Sequence, residues 1–278
     1  MISHSESNLS EVREKIFRNI KEVRERIERA CERAKRDISE IKLVAVSKTF
    51  PPDFISFAYE AGIRDFGENY AQEALPKINA LKGYNITWHF VGHLQKNKAK
   101  FIPGNFDYLH SLDSIELLKE LEKRCSIAQK EIKALVEINI GKEQTKKGIT
   151  PENVFEFFEK AIELGPKYVK ICGLMTIPPP PKDKEDSRKY FRKLMEIKEE
   201  CIKKGIPENM LAEISAGMSD DFEVAIEEGA TIVRIGRAIF FEREKKEKNN
   251  FLNFTHDYFG STRESFQRTR RSGKKINT

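Results

Sequence analysis

Hydrophobic positions along this chain recur in two rhythms. Between residues 9 and 36, Leu9, Val12, Ile16, Ile20, Val23 and Ile27 return at helical spacing with charges between them, which predicts one long amphipathic helix. Eight short apolar runs follow, at 42–48, 63–67, 87–92, 108–112, 134–140, 168–176, 211–215 and 231–236. Between them lie helix-patterned segments near 52–61, 69–81, 113–130, 151–164, 184–204 and 219–228, with a short one at 95–101 and a last one starting near Ala238. Strands alternating with helices imply an α/β fold with a parallel sheet. Eight such units match a closed (β/α)8 TIM barrel with the first helix as an additional N-terminal element. An open doubly wound sheet is the competing fold, and the absence of GxGxxG or GxxxxGK(S/T) after the first run counts against it. Pro178 to Pro181 follow the sixth run, where proline excludes helix and central strand and predicts a stiff loop at the barrel mouth.

Charge changes the picture only at one end. The net charge is +6, and from Lys245 to Thr278 nine basic and three acidic residues account for all of it, 9 − 3 = +6. The remainder, 41 basic against 41 acidic residues, is neutral, so the barrel is not a nucleic-acid module. Residues 1–244 are therefore read as the barrel domain and 245–278 as a basic, disordered tail without helical or strand period. No run is apolar and long enough to span a membrane, and the N-terminus lacks the blocks of a signal peptide. The four cysteines are scattered without a CxxC pair, which fits reduced thiols and a cytoplasmic location. His89, His93 and His110 lack partners at metal-ligand spacing, so His89 reads as a satisfied barrel residue and no metal is expected.

Candidate chemistry collects at the C-terminal ends of the strands, the active face of such barrels. The loops after the seventh and eighth strands commonly hold a phosphate there. Ser215-Ala216-Gly217-Met218-Ser219 and Gly236-Arg237-Ala238 suit that task, with small residues, hydroxyl donors and helix starts. Ser219 reads as the N-cap of the helix that begins at Asp220 and Asp221. Strand alternation puts Lys48 on the face of Val44 and Val46, so if those point inward, Lys48 stands at the mouth. Desolvation there would free a neutral amine, which together with a phosphate pocket is what an aldimine of pyridoxal 5'-phosphate (PLP) requires. The alternative is a lysine whose amine simply reaches solvent. Arg234, between Val233 and Ile235, needs a partner: either an acid such as Glu213 on the preceding strand, or the pyridine nitrogen.

Six blocks carry a resemblance to a known family. They are Ala45-Val46-Ser47-Lys48-Thr49, Phe66-Gly67-Glu68-Asn69-Tyr70, Trp88 to Gln95, Gly173-Leu174-Met175-Thr176, Gly217-Met218-Ser219-Asp220 and Val233-Arg234-Ile235-Gly236. In this order, over residues 9 to 243, they resemble the pyridoxal phosphate homeostasis proteins of YggS type. The resemblance implies a barrel like the N-terminal domain of alanine racemase, with PLP as an aldimine on Lys48. It implies a phosphate held among Ser215, Ser219, Gly236 and Arg237, the pyridine nitrogen near Arg234, and Asn69 and Met175 along the ring, with Met218 also among the cofactor-binding residues. The implied role is to store, buffer or deliver PLP, with PLP-dependent apo-enzymes as partners, without clear turnover, and the chain is expected to be a monomer. Arg237, Phe241 and Ala216 depart from the family pattern, which commonly has Thr, Gly and Met there. Two other functions stay open. A PLP-dependent racemase needs a second base opposite Lys48, which the polar residues after the barrel are not expected to supply. A partner- or nucleic-acid-binding role would act through the tail near Arg268, Arg270 and Arg271.

Overall fold

The eight apolar runs become eight parallel strands, β1 (Lys42–Val46), β2 (Asp65–Glu68), β3 (Thr87–Phe90), β4 (Tyr108–Leu112), β5 (Ile132–Ile138), β6 (Val169–Thr176), β7 (Glu213–Ser215) and β8 (Ile232–Ile235). Each pairs with the next in chain order, and β8 returns to β1 to close the barrel. The computed structural model of the chain describes residues 4–142 and 147–241. The helices are α1 (His4–Ala34), α2 (Pro52–Glu60), α3 (Ala71–Ala80), α4 (Ile115–Ala128), α5 (Val154–Leu164), α6 (Arg188–Lys203), α7 (Phe222–Glu227) and α8 (Arg237–Phe240). The short helical segment after β3 is a 3-10 turn, Lys96–Phe101. Among the described residues no helix is long and apolar enough to cross a membrane.

Alternation along the strands decides what fills the lumen. Val44, Tyr108, Leu135, Met175 and Ile232 form one buried cluster. They come from β1, β4, β5, β6 and β8, and side chains of strands so far apart around the barrel can meet only inside it. Beneath this layer, at the N-terminal ends of the strands, a polar plug closes the floor. Lys42 and Lys133 donate to the Tyr108 hydroxyl oxygen at 2.7 and 3.1 Å, and that hydroxyl donates to Glu213 at 3.0 Å. Glu213 also faces Lys42 at 3.6 Å. It is thus engaged at the floor, and among the described residues it forms no ion pair with Arg234.

Helix α1 lies across the outside against α2, α7 and α8. Its buried stripe is Ile16, Ile20, Val23 and Ile27, continued by Ala30 and Cys31. The helix starts earlier than its apolar pattern, at His4, and Leu9 is 41% exposed. Two strand ends also differ from the pattern. β1 stops at Val46, two residues before Lys48, because the chain turns at Ser47, whose N–H donates to Gly67 and whose carbonyl accepts from Phe50. The helix after β7 starts at Phe222 with Asp221 at the N-cap position, so Ser219 does not cap it. The basic tail expected from Lys245 onward, and with it the end of the expected barrel domain, lies outside the described residues.

Candidate functional site

Lys48 stands on a clasped turn at the barrel mouth. It is exposed, and among the described residues it makes no hydrogen bond or ion pair. With β1 ending at Val46, Lys48 lies on the turn two residues beyond the strand rather than on the strand itself. The turn beneath it is tightly held. Ser47 is fully buried and donates to Glu68 Oε1 at 2.6 Å. Lys77, reaching up from α3, donates to the Ser47 carbonyl at 3.0 Å, to both Glu68 oxygens at 2.9 and 3.0 Å and to Glu73 at 2.7 Å. Glu73 in turn accepts from the N–H of Thr49. Thr49 has φ of 68°, a left-handed conformation that is unusual for a β-branched residue and costs about 1–2 kcal/mol. Burial raises the Glu68 pKa, and the adjacent Lys77 ammonium opposes that shift.

On the adjoining strand β8, paired with Val44 of β1, lies Arg234, 4% exposed, which donates to Ser215 Oγ and, at 2.9 Å, to the Thr176 carbonyl. Burial lowers its pKa to about 10, so it remains a cation at neutral pH. A guanidinium has about five N–H donors, and these two acceptors leave three of Arg234's without a partner among the described residues. Behind it runs a chain of buried polar groups. His110 Nδ1 lies 2.9 Å from Ser215 Oγ, His110 Nε2 lies 2.8 Å from His89 Nδ1, and His89 Nε2 lies 2.9 Å from Asp65 Oδ1. Ser215 is thus turned into the lumen, its hydroxyl engaged by Arg234 and His110.

The loops after β7 and β8 meet at the rim. Ala238 N–H donates to Ser219 Oγ at 3.3 Å, a long bond that links the two loops. Gly217, with φ of 88°, brings its loop down onto Phe222, where a Cβ would lie 2.8 Å from the Phe222 Cα. Gly236 sits against β1: a Cβ there would stand 3.5 Å from the Val46 carbonyl, two residues from Lys48. Asp221 ties the β7 loop down, accepting from Met218 N–H at 2.8 Å and from Ser187 at 2.7 Å. Met218 is partly exposed, and Arg237 forms a surface ion pair with Asp220. Asn69 is half-buried beside Gly92, where any Cβ would fall 2.2 Å from the Asn69 carbonyl oxygen. Met175 is fully buried in the lumen cluster. Lys48, Asn69, Ser219, Gly236 and Arg237 thus belong to the rim, and Ser215, Met175 and Arg234 to the lumen below.

Three groups here were not assembled in the sequence reading, which anticipated only His89, as a satisfied barrel residue. Glu137 shares the inward face of β5 with Leu135, and burial, reinforced by Asp113, raises its carboxyl to about 7, with Arg234 opposing. The Glu68–Lys77–Glu73 clasp and the Asp65–His89–His110 chain are the others. The sequence signal for Glu137 and His89 is a polar residue inside a mostly apolar strand, whereas Glu73 and Lys77 stand on a helix and carry no such signal.

Residues 15–244 match the family model of the alanine racemase N-terminal domain. A pyridoxal phosphate homeostasis protein of Aquifex aeolicus is 48% identical over 217 residues, covering 78% of this chain and 93% of that protein. One from Escherichia coli is 37% identical over 245 residues, covering 87% and 97%. The solved structure of PipY from Synechococcus elongatus with PLP bound has a TM-score of 0.67 and 32% identity, covering 77% of this chain and 99% of that one.

Proposed function

The chain belongs to the pyridoxal phosphate homeostasis protein family, and from that membership we propose that it binds PLP at the barrel mouth and acts in intracellular PLP storage, buffering or delivery. The observation that carries the reading in this chain's own residues is Arg234. A buried cation with N–H donors left over, and with no carboxylate hydrogen-bonded to it among the described residues, calls for an acceptor in the lumen, and a pyridine nitrogen is one. Lys48 would hold the cofactor covalently through its ε-amine. The paired loops at Met218–Ser219 and Gly236–Arg237 would take the phosphate, while Asn69 and Met175 would bound the ring. Ser215 supports Arg234 from behind. To donate to a phosphate its hydroxyl proton would have to leave His110 Nδ1.

Bound PLP supplies an electron sink, which a protonated pyridine nitrogen would strengthen and a donor that keeps its proton weakens. Arg234 is such a donor, so the site favours holding the cofactor over using it, and we read the protein as a carrier without enzymatic turnover. The carrier would hand PLP to PLP-dependent apo-enzymes. Purified chain mixed with PLP and dialysed should keep a visible absorption band. Chiral chromatography of L-alanine and L-serine with the loaded chain should find turnover below about 1 s⁻¹. Loss of the band on dialysis contradicts PLP binding, and faster racemisation contradicts the carrier reading.

A further inference from the structure

The residues behind Arg234 form a chain with unlike ends. Asp65 belongs to the floor, at the start of β2, and is partly exposed; Arg234 belongs to β8 and is buried. Between them His89, His110 and Ser215 are each 1% exposed or less, and they cross the lumen from β3 and β4 to β7. We propose that Asp65, His89, His110 and Ser215 are positioning residues: they form a one-way hydrogen-bond relay through the barrel that orients Arg234 and couples it to the charge at the floor.

The direction follows from the ends. An ionised Asp65 only accepts, so His89 Nε2 carries a proton and donates to it. A neutral imidazole has one N–H, so His89 Nδ1 accepts, and His110 Nε2 must be its donor. His110 Nδ1 then accepts, and the Ser215 hydroxyl donates to it. At the other end Arg234 only donates, and it donates to Ser215 Oγ, which leaves that hydroxyl's own proton free to point at His110. Both ends demand the same orientation of every link. Reversing one link would put two donors or two acceptors face to face unless all reversed together, and Asp65 forbids that. Burial agrees, since it holds both imidazoles below their ordinary range and so neutral. Hydrogen bonds chained in one direction polarise one another, so the Asp65 charge is felt at Ser215 and Arg234. What Arg234 then presents to a bound ring rests on the PLP reading; the relay itself does not.

The test uses the full chain without added PLP, labelled with nitrogen-15, and reads the ring tautomers by long-range proton–nitrogen correlation at neutral pH. Both His89 and His110 should be Nε2–H tautomers, and an Nδ1–H or doubly protonated ring at either position overturns the relay. Asp65→Lys puts a donor where the relay needs an acceptor. Both rings should invert to Nδ1–H, including His110, which Asp65 does not touch. Inversion at His89 alone overturns the proposal. Should that variant fail to fold, Asp65→Asn keeps the size and removes the charge. The His110 Nε2–H proton should then move upfield and the Arg234 Nε–H peak should shift with it, and either peak left in place overturns the coupling. Failure to retain PLP would contradict the proposed function without altering any of these spectra.

Discussion

A guanidinium sealed from water needs acceptors, and Arg234 has fewer than its donors can serve. Its planar fork reaches Ser215 and the Thr176 carbonyl together and still presents N–H groups to the lumen. A lysine has one nitrogen in place of that fork and cannot keep both contacts while facing a ligand. Arg234→Lys should therefore weaken PLP retention roughly tenfold or more, the equivalent of one charge-assisted hydrogen bond of about 1.5–3 kcal/mol. Equilibrium titration by absorbance checks this. Arg234 was legible as an anomaly in the sequence, since a charge stood between Val233 and Ile235. Its partner was not legible, because Glu213, the nearest acid on the adjoining strand, turns out to serve Lys42 and Tyr108 at the floor. The inward positions of a barrel carry different chemistry at its two ends, and a strand of three or four residues says little about which end each side chain occupies.

At the scale of elements, the turn after β1 and the paired loops after β7 and β8 do the positioning. The clasp on the Lys48 turn depends on one buried ammonium. Lys77→Met would leave Glu68, fully buried, without its counter-charge, and a broken buried pair costs about 3–5 kcal/mol. Urea denaturation should show that loss, and it should shrink when Glu68→Gln is added. The loops make a different prediction. Ser219 Oγ is half-buried at the rim, whereas Ser111 Oγ is buried and donates to the Gly92 carbonyl at 2.6 Å. Ser219→Ala should thus reduce PLP retention more than Ser111→Ala, by about 1–3 kcal/mol in a competition titration. The strands could be found from sequence because parallel strands covered on both faces read as apolar runs. Their ends could not. Ser47 looks like one more strand residue until its hydroxyl and carbonyl are seen bonded to Glu68 and Lys77, which come from later in the chain. Ser219 looks like a cap until Asp221, two residues on, takes that position.

For the molecule as a whole, the barrel encloses charge, and that makes its stability depend on pH. Glu137 has a folded pKa of about 7 against its ordinary value of 4.5, so the folded chain binds the extra proton between these limits. Its contribution is fully present below pH 4.5 and is lost as pH rises through about 7. Glu137→Gln cannot ionise. It should match the parent chain below pH 4.5 and exceed it above pH 7, by up to about 3 kcal/mol. Thermal unfolding of both chains across that range measures the difference. The order of strands and helices around the barrel was legible because each unit is local in sequence. The groups that meet inside it were not, since His89 and Asp65, or His110 and Ser215, lie far apart along the chain and join only when the barrel closes. The six motif blocks carried the family across that gap. The central claim is that Lys48 on its clasped turn holds PLP, and borohydride reduction of the PLP-loaded chain followed by peptide mass spectrometry tests it most directly. The account predicts one stoichiometric pyridoxyl adduct on Lys48, lost in Lys48→Ala. An adduct of equal yield on another lysine, or one that survives Lys48→Ala, would contradict it.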